Sequence, residues 1–290
     1  MSIWKNYHCA VSISDVLQAL AASPGPARII AGGTDLLLDL LQNRHPIVHT
    51  LVDVTSVPEL NALEVRQEVL FIGAAVPLNK IVGSSLVNQH ALALVEACDL
   101  IGGYQVRNTA TLGGNVAHAL PAGDGSIALL ALDAQAEIAS LGGTRQVPVE
   151  DLFLGPGHSA LDERQDLILG FILPLKKSGQ ASVFRRVMRP QGVALPILNM
   201  AVWLERAGDR LVDLRLAVGP SGPRPLRLRA VESCLRGKAF TSQAVDFARQ
   251  ELLATAQFRT SPYRASADYR RSLASVLLDE VLNSAWTQVS

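Results

Sequence analysis

Two short stretches carry glycine pairs of the kind that can close a backbone around an anion. The shorter is Ala31-Gly32-Gly33-Thr34-Asp35, and the longer runs from Thr111 through Gly113-Gly114-Asn115 to Asp124. Glycine has no Cβ, so each pair is expected to take φ > 0 and to point consecutive N–H groups into a concavity. One such loop is an ordinary glycine turn as readily as a site; two in one chain suggest a single diphosphate. Asp35 limits the first loop, because a carboxylate in the same turn would repel a diphosphate. It is therefore expected to cap amides or bond a sugar hydroxyl while backbone groups hold the anion. Other chemistry has less support. The six histidines are scattered without a Ser-His-Asp or Cys-His signature, and Pro46 between His45 and His49 spoils a helical presentation to a shared metal. The run Gly155-Pro-Gly-His-Ser-Ala160 fits G-x-G-x-x-A. Yet Pro156 lies inside it, and charged Asp162-Glu163-Arg164 follows where a dinucleotide fingerprint needs a helix.

The elements that must position these loops follow from periodicity. Arg28-Ile29-Ile30 reads as a buried strand delivering the first loop, and Thr34 as the cap of a helix over Leu36–Leu41. Upstream, Ser14 is expected to cap a helix ending at Ala22, with Asp15 in its first turn and Val16, Leu17 and Leu20 on one face. Val48–Val54 and Val69–Ala74 read as strands and Ala91–Leu100 as a helix ahead of Gly102-Gly103. After the long loop come a helix over Ile127–Leu132, a strand over Ala136–Ala139, a hairpin turn at Gly142-Gly143 and a strand over Leu167–Pro174. Lys176 to Gln180 is the most linker-like segment. Beyond it, Val183–Met188, Ile197–Glu205 and Leu211–Val218 read as three strands, followed by three helices; the last begins near Ser266 with Asp268 in its first turn.

Composition narrows the class. The 290 residues are 49% hydrophobic, with 26 basic and 26 acidic side chains, so no overall field draws nucleic acid or an acidic membrane. Cys9, Cys98 and Cys234 supply neither a disulfide framework nor the four thiolates of an iron–sulfur cluster. No export signal and no long apolar run is present, which points to a cytoplasmic chain with no membrane insertion.

Taken together, Ile30-Ala31-Gly32-Gly33-Thr34-Asp35-Leu36-Leu37, Gln105-Val106-Arg107-Asn108, Thr111-Leu112-Gly113-Gly114-Asn115 and Pro121-Ala122-Gly123-Asp124 resemble the FAD-binding, medium subunit of molybdenum hydroxylases of the xanthine dehydrogenase and carbon monoxide dehydrogenase type. The resemblance covers nearly the whole chain and includes Arg264 to Arg271, which is similar to a C-terminal signature of the family but also reads as a capped helix with solvated arginines. It implies an α+β fold: a two-lobed FAD-binding domain of the p-cresol methylhydroxylase type over 1–177, then a C-terminal domain over 178–290 built from a three-stranded antiparallel sheet plus helices.

It further implies noncovalent FAD, with Ile30 to Asp35, Gly113 and Gly114 around the diphosphate, Thr111 and Asn115 hydrogen-bonding there, and Asp124 on a ribityl or ribose hydroxyl. Asn115 can donate through its NH2 group to phosphate, whereas ionised Asp124 only accepts. Ile168 and Arg185 resemble segments near the isoalloxazine, where relatives often carry leucine and lysine. The sequence departs from the family pattern at Ala110, often glycine, and in Arg189 to Pro196, which lacks an acid and a ring-covering aromatic; Val193 or Leu195 could cover the ring instead.

The 2Fe-2S clusters and molybdopterin are implied on partner chains, an iron–sulfur subunit and a molybdopterin subunit, with electrons leaving to NAD, oxygen or another acceptor. No catalytic side chain is implied, since a flavin carries its own reactive centre. A self-contained flavin oxidase and a flavin-free assembly module are the competing readings.

Overall fold

A computed structural model describes residues 3–44, 47–189 and 195–289. His45, Pro46 and Val193, which entered the reading above, lie outside the described residues. The first lobe holds β1 (Trp4–Cys9), α1 (Ile13–Ala22), β2 (Ala27–Ile30), α2 (Leu36–Leu41) and β3 (Val48–Asp53), with the strands in an all-parallel sheet ordered β1-β3-β2. Parallel neighbours need a crossover, and α1 and α2 supply the connections. The cap of α1 is Ser12, not Ser14: its Oγ accepts from Asp15 N at 3.2 Å, starting the helix two residues earlier than expected. The buried face of α1 is the expected Val16, Leu17 and Leu20.

The second lobe opens with β4 (Leu63–Arg66) and β5 (Val69–Gly73). Six short helices follow: α3 (Leu78–Val82), α4 (Ser85–His90), α5 (Leu92–Asp99), α6 (Tyr104–Arg107), α7 (Leu112–Ala117) and α8 (Asp124–Ala131). Next come β6 (Gln135–Ser140), β7 (Gly143–Pro148), β8 (Phe153–Gly155), β9 (His158–Ser159) and β10 (Leu167–Pro174). An antiparallel sheet runs β4-β5-β10-β6-β7, so β10 returns to the middle and pairs with both β5 and β6. Helix α8 begins three residues before the expected Ile127, and every residue in it is buried, including Asp124. The G-x-G-x-x-A stretch is the β8–β9 hairpin, with Gly157 at φ +73°, and opens no helix.

In the C-terminal domain β11 (Gln180–Met188), β12 (Pro196–Ala207), β13 (Arg210–Gly219) and β14 (Leu226–Arg227) form an antiparallel sheet. The expectation of three strands misses β14, which pairs with Ala217 and Val218 after the Gly219–Pro223 turn sends the chain back. Helices α9 (Arg229–Leu235), α10 (Ser242–Thr255) and α11 (Ala267–Gln288) cover one face. The sheet is buried on both sides: Ala181 and Val183 pack into the core with these helices, whereas Phe184 joins the core of the second lobe. β11 is thus the seam of the molecule, with alternate residues facing different domains.

Candidate functional site

The first glycine loop leaves β2 at Ile30, paired with Asp53, and passes through Ala31 to Gly33 at φ +65°. At Gly32 the constraint is proximity: a Cβ would lie 1.9 Å from the Thr109 carbonyl oxygen and 2.9 Å from Ala110 N. Only a glycine lets the two loops touch there. Among the described residues, the amides of Gly32, Gly33, Thr34 and Asp35 donate to no protein acceptor. Neither Thr34 nor Asp35 caps as expected. Asp35 occupies the cap position of α2 with helical φ and ψ, its side chain bonds no amide, and it is exposed. The result is four consecutive free N–H groups at the C-terminal edge of a parallel sheet, beside a carboxylate and a hydroxyl with no protein partner.

The second loop differs. Gly113 and Gly114 have no positive φ; they lie inside α7, which Thr111 caps by accepting from Gly114 N at 3.1 Å. A side-chain cap at Thr111 outweighs the turn-forming tendency of two glycines. Gly113 N donates to Ala74 O at 2.9 Å, and a Cβ on Gly113 would fall 2.6 Å from that oxygen. Both amides are therefore used within the protein. Gly114 is exposed, with only Thr111 Oγ1 near its would-be Cβ, at 3.2 Å. Asn115 Oδ1 accepts from Ser126 N at 3.1 Å and Ser126 Oγ at 3.3 Å, which fixes the amide and leaves Nδ2 without a protein acceptor. Gly125 permits that approach, since a Cβ there would sit 2.9 Å from Asn115 Oδ1.

Asp124 joins the two domains. Its Oδ2 accepts from Arg186 Nη1 and its Oδ1 from Asn199 Nδ2, each at 2.6 Å, with Asp124 and Arg186 side chains 5% exposed. Burial pushes the Asp124 carboxyl above the usual range, against the opposing pull of Arg186 and Asn199. Arg186 Nε and Asn199 Oδ1 are buried with no partner, a donor and an acceptor left over beside the loop. Arg185 is not brought here. It faces the other way and binds Glu96 at 2.8 Å and Glu280 at 3.1 Å, tying β11 to α5 and α11. Ile168 is 6% exposed and packs beside a β-bulge in the core of the second lobe, the same cluster that holds Leu112 and Val116 of α7. Leu195, one of the two expected ring covers, is exposed.

Sequence reasoning missed Arg186, Asn199 and Ser126. The period-2 pattern of a strand could have separated Arg186 from Arg185, but Val183 and Phe184 are both apolar, so either face read as the core. Nothing local marks Asn199 or Ser126.

The set offers open amides and an NH2 donor for a diphosphate and free oxygens for sugar hydroxyls, with an enclosed, unpaired donor and acceptor behind them. This donor set fits a flavin dinucleotide, and the cradle that a Cβ at Gly32 would fill fits it too. Among the described residues no group of His, Cys, Asp and Glu could hold a metal, and no helix is long and apolar enough to cross a membrane.

Residues 3–176 match the FAD binding domain in molybdopterin dehydrogenase, and residues 182–285 the CO dehydrogenase flavoprotein C-terminal domain. The chain is 29% identical to the carbon monoxide dehydrogenase medium chain of Hydrogenophaga pseudoflava, over 97% of each. It is 28% identical to the xanthine dehydrogenase FAD-binding subunit of Escherichia coli O157:H7, over 97% of this chain and 95% of that one. The solved carbon monoxide dehydrogenase of Hydrogenophaga pseudoflava that lacks the Mo-pyranopterin moiety of its cofactor superposes with a TM-score of 0.93 at 28% identity, covering 99% of this chain and 98% of that one. The chain is an oxidoreductase subunit with FAD as its cofactor, and it belongs to the molybdenum hydroxylase family as one of the FAD-binding, medium subunits.

Proposed function

We propose that this chain holds FAD noncovalently between its two glycine loops and the Asp124–Arg186–Asn199 cluster, in a complex with an iron–sulfur subunit carrying 2Fe-2S clusters and a molybdopterin subunit. When bound, FAD supplies the redox step that links those clusters to an external acceptor such as NAD or oxygen. The chain's residues bind and orient. The observation that carries this reading is the run of four unpaired amides over Gly32–Asp35, packed against the loop that leads to Asn115 and its free Nδ2.

In this arrangement the Gly32–Asp35 amides and Asn115 Nδ2 hold the diphosphate, with Ile30 and Ala31 setting where β2 delivers them. Gly113 and Thr111 anchor α7, and Gly114 leaves its surface bare so that the ligand can approach. Asp35 and Asp124 accept from sugar hydroxyls, which suits groups that have no proton to give. Arg186, not Arg185, carries the positive charge on the flavin side, held there by Asp124, while Ile168 stiffens the wall behind. The two domains divide at Lys177 and Ser178.

Purified chain is expected to be yellow and to release FAD on acid precipitation. Colour retained by the precipitated polypeptide would show a covalent link and overturn the noncovalent assignment. A chemical reductant should bleach the flavin, whereas a hydroxylase substrate should do so only after partner chains carrying clusters and molybdopterin are added. Turnover by the isolated, metal-free chain would establish a self-contained oxidase instead.

A further inference from the structure

Most arginines of this chain are answered by a carboxylate, as in Arg145–Asp166, Arg227–Glu232 and Arg249–Asp279. A group in the C-terminal domain is not. Among the described residues the side chains of Arg259, Arg264 and Arg270 make no ion pair and no hydrogen bond. Arg270 is 1% exposed, and its Nε is enclosed without an acceptor. It lies in the first turn of α11, where the helix dipole is positive and adds to the charge instead of offsetting it. Arg264 is half-buried in the turn before that helix, where Ser261 N donates to Ala265 O at 2.9 Å and Arg264 N to Ser261 O at 3.2 Å. Arg189, at the end of β11, donates to the Arg264 carbonyl at 3.5 Å and brings a fourth cation to the group.

Burial weakens the hold of Arg270 on its proton, and the charges of Arg264 and Arg259 weaken it further; Arg264 is affected likewise by burial and by Arg259. A guanidinium does not escape by losing its proton, so an enclosed one without a counter-charge is destabilising. The economical resolution is an anion that enters from outside. A guanidinium fork matches either a carboxylate or a phosphate. Three cations favour the group with more charge, since a phosphate carries about −1.5 to −2 near neutral pH.

We infer that Arg259, Arg264 and Arg270 form a binding site for the phosphate group of a small molecule, separate from the flavin's diphosphate cradle at Gly32–Asp35. The inference rests on the flavin assignment only for that separation. Arg186 and Arg189 stand three residues apart on and beyond β11, about 10 Å at the rise of a strand, so the site adjoins the flavin pocket without sharing its two glycine loops.

The test titrates inorganic phosphate into the flavin-loaded chain and follows its thermal midpoint, with chloride at equal ionic strength as the control and flavin absorbance recorded in parallel. Phosphate is expected to raise the midpoint where chloride does not. The Arg259→Gln/Arg264→Gln pair should weaken the apparent phosphate affinity by about tenfold or more, as expected for charge-assisted hydrogen bonds, with flavin absorbance unchanged. Arg270→Met should abolish the response; if that variant does not fold, the accessible pair decides. Equal phosphate responses in wild type and the pair would overturn the inference. So would a response that disappears on flavin loading, because the cluster would then serve the flavin's own diphosphate. A chain indifferent to phosphate, whose arginines become protected only when a partner chain docks, would assign them to a partner carboxylate and overturn it as well. Loss of flavin absorbance in wild type would count against the flavin assignment alone.

Discussion

The two glycine loops look alike in sequence and do different work. In Gly32–Asp35 the amides stay open, and Gly32 is glycine because another backbone lies against it. In Thr111–Asn115 the amides of Gly113 and Gly114 are already engaged, one by Ala74 O and one by the Thr111 hydroxyl, and the loop's open polar group is the side chain of Asn115. One loop leaves its main chain unpaired; the other uses its main chain to build a helix that carries a donor. A paired glycine therefore identifies a close approach, and only its neighbours tell whether a ligand or the protein itself is approaching.

The largest effect is expected from Gly32→Val, whose Cβ would meet the Thr109 carbonyl and force the loops apart. Flavin affinity should fall by more than about 100-fold, roughly 2.7 kcal/mol, and the purified variant should be colourless. Wild-type flavin content would break the comparison at its base. Asn115→Asp comes next: the retained oxygen still accepts from Ser126, but a donor becomes an anion facing phosphate. Flavin binding measured by fluorescence titration should weaken by about tenfold or more. An unchanged affinity would leave the second loop without its one assigned ligand contact.

Gly113→Ala should act on the fold, because its methyl group would press on Ala74; a loss of about 1–3 kcal/mol in denaturant unfolding is expected. Stability equal to wild type would show that α7 can shift freely. The smallest change is expected from Gly114→Ala, an exposed site inside a helix, where added helix propensity offers about 0.5–1 kcal/mol and the Thr111 hydroxyl gives way slightly. Its flavin affinity should drop only a few-fold. Complete loss of flavin from a stable Gly114→Ala protein would sharpen the comparison, placing the ligand directly on α7.

Long apolar or alternating runs made β3, β5, β6 and the strands β10 to β13 legible, and a lone serine before an acidic first turn located α11. Where two signals compete, the sequence is less clear. Ser12 and Ser14 are both able to cap α1, and only the bond to Asp15 N decides between them. Gly113-Gly114 reads as a turn until Thr111 is seen to cap across it. β14 is two residues long, too short for any period to register. Arg185 enters through its resemblance to a family segment, and the sequence itself does not redirect that reading to Arg186, because β11 is apolar on both faces and lacks the contrast that normally tells inside from outside. Arg270 reads as a solvated helix residue, yet tertiary packing encloses it. The residues that grip the candidate ligand were thus easier to find than those that hold the grip in place, since the latter are distant in sequence.

The Asp124–Arg186 contact also orders events at the ribosome. The carboxylate is made 62 residues before the cation that answers it, an interval of about 3 to 12 s at roughly 5–20 residues per second. During that interval the helix carrying Asp124 has no partner for a charge that its finished position buries, so closure of this wall must wait for β11 and β12 to emerge. A nascent chain halted before residue 186 would present the first glycine loop but not the completed wall, and under the proposed arrangement cofactor capture would be a late step of biogenesis, timed by the C-terminal sheet.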